Sequence, residues 1–156
     1  VVAGARSGDG AMVARGSALV AWLDAVQTAP EGHLSLIGNA GWWPRGGPRA
    51  RFDQQPIDAT ALLLAADAAQ AVTGEGRHAA TVERCYGWFL GRNDIGCVIA
   101  RPASGGCQDG LTPAGPNRNQ GAESTLMWLL AAAAMRRRNL APAAGFGDAV
   151  RMARST

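Results

Sequence analysis

The sequence predicts an all-α domain built from antiparallel helix pairs. Three observations predict it. Apolar residues make up 47% of the chain and alanine leads them, and alanine is the strongest helix former. Apolar positions recur at helical spacing in four stretches. Glycine or proline stands at the ends of those stretches, where helices start and stop.

The first helix is expected over about residues 9–28, with Met12, Val13, Leu19, Val20, Leu23 and Val26 largely on one face. Pro30-Glu31-Gly32 stops it. The second begins at Pro56, a residue favoured in the first turn, and carries Ile57, Ala61, Leu64, Ala65, Ala68 and Val72 at helical spacing. Thr73-Gly74 ends it. The third covers about residues 77–90, with Val82, Cys85, Tyr86 and Phe89 on one side. The fourth covers about residues 121–138 and is read with Leu126, Leu129, Leu130 and Ala133 inward. A short fifth helix is read near residues 147–154. Alanine-rich faces, such as Ala61, Ala65, Ala68 and Ala69, let neighbouring helices approach closely.

Two long segments rich in Gly, Pro and Asn separate the helices, over residues 32–55 and 92–120. Loops of this length inside one domain tend to be functional. They hold most of the polar and aromatic residues that carry chemistry.

Composition excludes several function classes. The chain has 156 residues, enough for one domain with its own core. All 15 basic residues are Arg and the net charge is +3, but the charges are scattered rather than striped, so no nucleic-acid partner is expected. The one basic run, Arg136-Arg137-Arg138, complements the end of a helix. No apolar run reaches the roughly 18 residues of a membrane span, so no membrane partner is expected and a cytoplasmic location is. Cys85, Cys97 and Cys107 are odd in number and lack framework spacing. Cys97 and Cys107 could close a loop, though nothing requires it. His33 and His78 have no ligand-spaced partners, so no metal site and no cofactor are expected. There is no phosphate loop, no Gly-x-Ser-x-Gly elbow and no dinucleotide fingerprint.

Three constellations remain. The first is Gly38-Asn39-Ala40-Gly41-Trp42-Trp43. Exposed, the paired indoles form a flat apolar platform with polar edges, which suits the C–H face and hydroxyl rim of a sugar; buried, one of them caps the bundle. The second is Phe52-Asp53-Gln54-Gln55-Pro56. Gln54 and Gln55 offer donors and acceptors to hydroxyls. Asp53 serves equally as a general acid or base or as a charge complementing the helix start. The third runs from Asn117 through Asn119, Gln120 and Glu123 to Thr125, again polar at a helix start. Glu123 is either a dipole-complementing carboxylate or the second member of an acid/base pair with Asp53, as glycoside chemistry requires.

The segments Phe52-Asp53-Gln54-Gln55-Pro56-Ile57, Trp88-Phe89-Leu90-Gly91-Arg92-Asn93-Asp94, Gly105-Gly106-Cys107-Gln108-Asp109-Gly110-Leu111 and Asn119-Gln120-Gly121-Ala122-Glu123-Ser124-Thr125 together resemble a block in bacterial (α/α) toroids of the six-hairpin glycosidase type. That block often follows a glycosyltransferase domain or carries that name itself. The resemblance covers about residues 8–138. It implies a partial (α/α) toroid of antiparallel helix hairpins, with ligand at the mouth formed by the connecting loops. Arg92, Asn93 and Asp109 then join Trp42, Trp43, Gln54, Gln55, Asn119 and Gln120 as candidate substrate-binding residues, with Asp53 and Glu123 as the catalytic candidates. A full ring has twelve helices, so the chain is expected to be one helical domain from the C-terminal part of a longer toroid, or a half-ring completed by a second copy.

Three functions compete at this point. The first is a carbohydrate-active enzyme domain. The second is a non-catalytic glycan-binding or structural module attached to a glycosyltransferase. The third is a helical interaction module without sugar. The expected partners are a carbohydrate ligand and either a further copy or the remainder of a longer chain.

Overall fold

The computed structural model describes residues 1–138. Those residues form five helices: α1 (Val2–Ser7), α2 (Gly10–Val26), α3 (Pro56–Thr73), α4 (Gly76–Phe89) and α5 (Ala122–Arg137). The connection between α4 and α5 holds two small antiparallel hairpins, β1 (Ala100–Arg101) with β2 (Gly106–Cys107) and β3 (Leu111–Thr112) with β4 (Gly115–Pro116). The fifth helix read near residues 147–154 lies outside the described residues.

Each long helix starts where local chemistry favours a start. Asp9 caps α2, its carboxylate accepting from the Met12 N–H at 2.9 Å. Pro56 opens α3 and left-handed Gly74 closes it, with φ 71°. The six-residue α1 has no apolar period to announce it, and it ends at left-handed Gly8.

Side-chain bonds between helices fix their directions. Thr60 Oγ1 donates to the Met127 carbonyl at 2.9 Å, and Arg138 pairs with Asp67 at 2.6 Å. Residue numbers rise together along that contact, so α3 and α5 run parallel. Ser17 meets His78 at 2.8 Å and Arg84 meets Asp24 at 2.6 Å, so α2 and α4 are parallel as well. The α2–α3 contact runs the other way. Val13 and Ser17 line one cleft with Val72 and Thr73, while Leu23 and Gln27 line another with Asp58 and Ala61. The helices therefore alternate in direction, and α3 touches α2, α4 and α5.

The core gathers between α3, α4 and α5 and under the loops, around Leu36, Leu63, Val82, Cys85, Trp88, Phe89, Ile99 and Trp128. The predicted inner face of α4 is correct: Val82, Cys85, Tyr86 and Phe89 are all buried. The predicted inner face of α5 is not. Leu126, Leu129, Leu130 and Ala133 face outward, and Ser124, Trp128, Ala131, Ala134 and Met135 face inward. The anchor is Trp128, stacked on Tyr86 with centroids 5.4 Å apart and set against Phe89 at 5.5 Å. One large aromatic and a row of alanines seat this helix closely on α3, which leaves the leucines outside. Met12 and Leu19 of α2 are likewise exposed, as are Ile57 and Val72 of α3.

The three cysteines are free. Burial pushes the Cys107 thiol up to about 12, with the Asp109 charge adding to the effect. No helix among the described residues is long and apolar enough to cross a membrane.

Candidate functional site

Because the helices alternate, the end of α2, the start of α3, the end of α4 and the start of α5 meet at one end of the bundle. Both long connections return there. Gln54 is bridged to Leu111, its N–H donating to the Leu111 carbonyl at 3.0 Å and its carbonyl accepting at 2.9 Å. This bond pair ties the lead-in to α3 to the lead-in to α5. Gly110 is required beside it, because a Cβ there would lie 2.3 Å from the Gln54 carbonyl oxygen.

Beneath this end lies a polar chain whose inner members, Trp88, Gln54 and Asp94, are buried. Trp88 Nε1 donates to Gln54 Oε1 at 2.8 Å, and Gln54 Nε2 donates to Asp94 and to the Arg51 carbonyl. Asp94, with its side chain only 3% exposed, also accepts from Arg51 at 3.0 Å and contacts His33 at 3.4 Å. Burial alone would raise the Asp94 pKa. Hydrogen bonds from Ser35, Gln54, His33 and Arg51 outweigh it and hold the carboxyl below its ordinary range. Asn93 is buried too, its amide donating to the Trp88 and Cys97 carbonyls, both at 2.8 Å. Gln54 and Asn93 thus have their amides engaged inside the fold.

A second cluster sits at the start of α5. Asp109 accepts from the Gly121 N–H at 2.6 Å and from the Asn119 amide. Desolvation would raise its pKa, but Gly121, Ser124 and Asn119 together lower it. Asp109 therefore caps α5 from twelve residues away. Gln120 and Glu123 are exposed on either side of this cap. Gln55 is the half-buried residue before α3, and Arg92 is exposed, donating to the Glu83 carbonyl at 2.9 Å. Arg92 and Asn93 line a polar cleft of about 520 Å³ with Glu31, His33 and Arg84.

The third grouping is the aromatic one. Gly38 lets the chain cross Phe52 at close range, because a Cβ there would lie 1.9 Å from the Phe52 carbonyl oxygen. Gly38 N–H donates to the Ala50 carbonyl at 2.8 Å, and Ala40 N–H donates to Phe52 at 3.1 Å. This crossing projects Trp42 and Trp43 outward. Trp42 is 63% exposed and has a left-handed backbone, φ 57°. That conformation is costly for a bulky residue and occurs where surrounding structure enforces it. Trp43 stacks on Trp22 of α2, with centroids 6.0 Å apart and planes 8° from parallel.

Trp42 borders a groove of about 400 Å³ between α2 and α3, walled by Leu19, Val20, Leu23, Ile37 and Leu62, with Asp58 in its lining. Burial pushes the Asp58 carboxyl above the ordinary carboxylate range, and the charge of Glu123 adds to the shift. Asp53 is exposed in the loop leading to α3, and its carbonyl accepts from the Asn39 N–H at 2.9 Å. Asp58, in the first turn of α3, is the carboxyl raised by burial and secondarily by the Glu123 charge.

Sequence reasoning named neither Asp58 nor Trp22, and it quoted Asp94 in the resembling segment without giving it a site role. Asp58 sits in a helix first turn, where an acidic residue is ordinary. Trp22 gained meaning only from its contact with Trp43. Asp94 carried a signal, since it stands in the same polar loop as Asn93. Among the described residues, no group of three His, Cys, Asp or Glu side chains could hold a metal ion. No family model, no curated protein and no solved structure matches the chain.

Proposed function

We propose that this chain handles carbohydrate at the loop end of its helices, with the sugar lying against Trp42 in the groove between α2 and α3. The observation that carries the reading is Trp42 itself, a bulky residue held left-handed with most of its surface in solvent. Core packing does not account for such a residue. A flat apolar ring with open polar surroundings fits the C–H face of a sugar. The Trp22–Trp43 pair supplies a second flat surface on the same side of the molecule as α2.

The carboxyl pair supports acid/base chemistry on a glycosidic bond. Asp58, held protonated to higher pH, is the general acid, and Glu123 is the second carboxyl group of the pair. Asp109, Asn119 and Gln120 border the start of α5 and extend the polar rim. The toroid belongs to the same proposal: the antiparallel pairs α2–α3 and α4–α5 are what a segment of an (α/α) ring would contribute. The alternative is a glycan-binding module without catalysis, favoured by the engagement of Gln54, Asn93 and Asp109 within the fold.

The test is titration of a panel of neutral and acidic oligosaccharides, followed by tryptophan fluorescence and amide chemical shifts. One class should bind, and Trp42→Ala should weaken it by about tenfold, the loss of one stacking surface. Binding with turnover that disappears in Asp58→Asn and Glu123→Gln supports the enzyme. Binding without turnover supports the module. Absence of any saccharide response, or equal binding by Trp42→Ala, removes the carbohydrate reading.

A further inference from the structure

The outward face of α5 is apolar in the middle and oppositely charged at its ends. Glu123, Leu126, Leu130, Ala133 and Arg137 are all exposed and follow a three-and-four spacing along one stripe, with Leu129 and Arg136 beside it. The leucines are 56%, 46% and 45% exposed at positions 126, 129 and 130. This is the spacing with which one helix seats against another. Glu123 lies in the first turn and Arg136 and Arg137 in the last. Neither Glu123 nor Arg137 makes an ion pair among the described residues.

We infer that this face pairs with α5 of a second copy of the chain, antiparallel, about a two-fold axis passing near Leu130. The charges select both the occupant and the direction. Leu130 lies midway between Glu123 and Arg137 in sequence. An antiparallel pair centred there sets each Glu123 opposite Arg137 of the second copy, Leu130 opposite Leu130, and each Leu126 against Ala133 of the second copy. A parallel pair would set Glu123 against Glu123 and the arginines against arginines, which is repulsive at both ends. A surface that is its own complement in this way is what a two-fold interface requires. The inference does not depend on carbohydrate handling.

One helix pair is a small interface, so the dimer should be concentration-dependent, dissociating on the order of 10 µM. Sedimentation equilibrium of the 156-residue chain reads it directly. Glu123→Arg and Arg137→Glu should each weaken the dimer by about tenfold or more, and the double exchange should restore it to within about threefold of the parent. Circular dichroism on each variant separates lost pairing from lost folding. Leu130→Cys gives an independent reading, because the new thiols face each other across the axis and should oxidise to a covalent dimer that the parent does not form. A parent chain that stays monomeric up to about 200 µM, well above that range, overturns the inference. So does a dimer indifferent to both single charge reversals. Truncation after Arg138 that turns a monomer into a dimer overturns it as well, since residues 139–156 would then be the occupant.

Discussion

Trp88 and Gln54 lie 34 residues apart in sequence and meet at 2.8 Å, both fully buried. Both amide protons of Gln54 and its amide oxygen are engaged, by the Arg51 carbonyl, Asp94 and the indole. Gln54→Leu would leave the Trp88 N–H without an acceptor and remove a donor from Asp94. The expected cost is about 3 kcal/mol by urea unfolding, since each buried orphan costs roughly 1–3 kcal/mol. A loss below about 1 kcal/mol would show that water replaces the amide.

Asp94, in the second long loop, gathers its donors from the first, and its folded pKa lies below the ordinary value of 3.8. A depressed folded pKa gives stability that is present above the unfolded value and is lost as pH falls through the folded one. Asp94→Asn should therefore cost about 2 kcal/mol at pH 7, in the range for charged hydrogen bonds. The gap between parent and variant should close as acid protonates the parent. Thermal melts at several pH values between neutrality and strong acid test this. A constant gap would assign the loss to packing.

Asp58 behaves with the opposite sign. Its folded pKa lies above 3.8, so its contribution is most favourable below that value and is lost as pH rises through the folded pKa. Asp58→Asn should raise stability at pH 7 by about 0.5 kcal/mol, a small figure because the group is partly solvated. The gain should vanish in acid. Glu123→Gln should reduce the gain, because Glu123 is one cause of the shift. A melting temperature lowered by Asp58→Asn at neutral pH would contradict this picture.

Asp109→Ala removes the cap on α5 and should cost about 1 kcal/mol, the usual value for an N-cap. Amide exchange at Gly121 and Ser124 should accelerate while α3 is unchanged. Asp109→Asn should retain part of the bond, since its amide oxygen can still accept from Gly121. Equal effects of the two substitutions would show that the charge matters more than the cap.

The four long helices were legible because alanine content, Pro56, Gly74 and the polar starts are local signals. The inner face of α4 was legible because its apolar residues occupy one side only. The faces of α3 and α5 were not, because leucine and alanine surround both helices and periodicity then selects no side. For α5 the deciding contact, Trp128 on Tyr86, is long-range. The loop residues were recognised as unusual, but their duties differ with partners that sequence does not display. Asp109 turned out to cap a helix, Gln54 to join a buried chain, and Trp42 to stand in solvent. Asp58 illustrates the limit most sharply, since its shifted protonation arises from packing and from Glu123 on another helix.

α3 packs against α2, α4 and α5, whereas the other long helices share fewer neighbours among themselves. It follows that the chain has no way to open α3 without releasing the rest. Its central amides should exchange with solvent deuterium only through global unfolding, while α1 and the outer turns of α5 can fray and re-form many times within one such event. The loop end is therefore mounted on the slowest-opening helix of the domain. Segments anchored through Gln54 and Pro56 inherit that permanence.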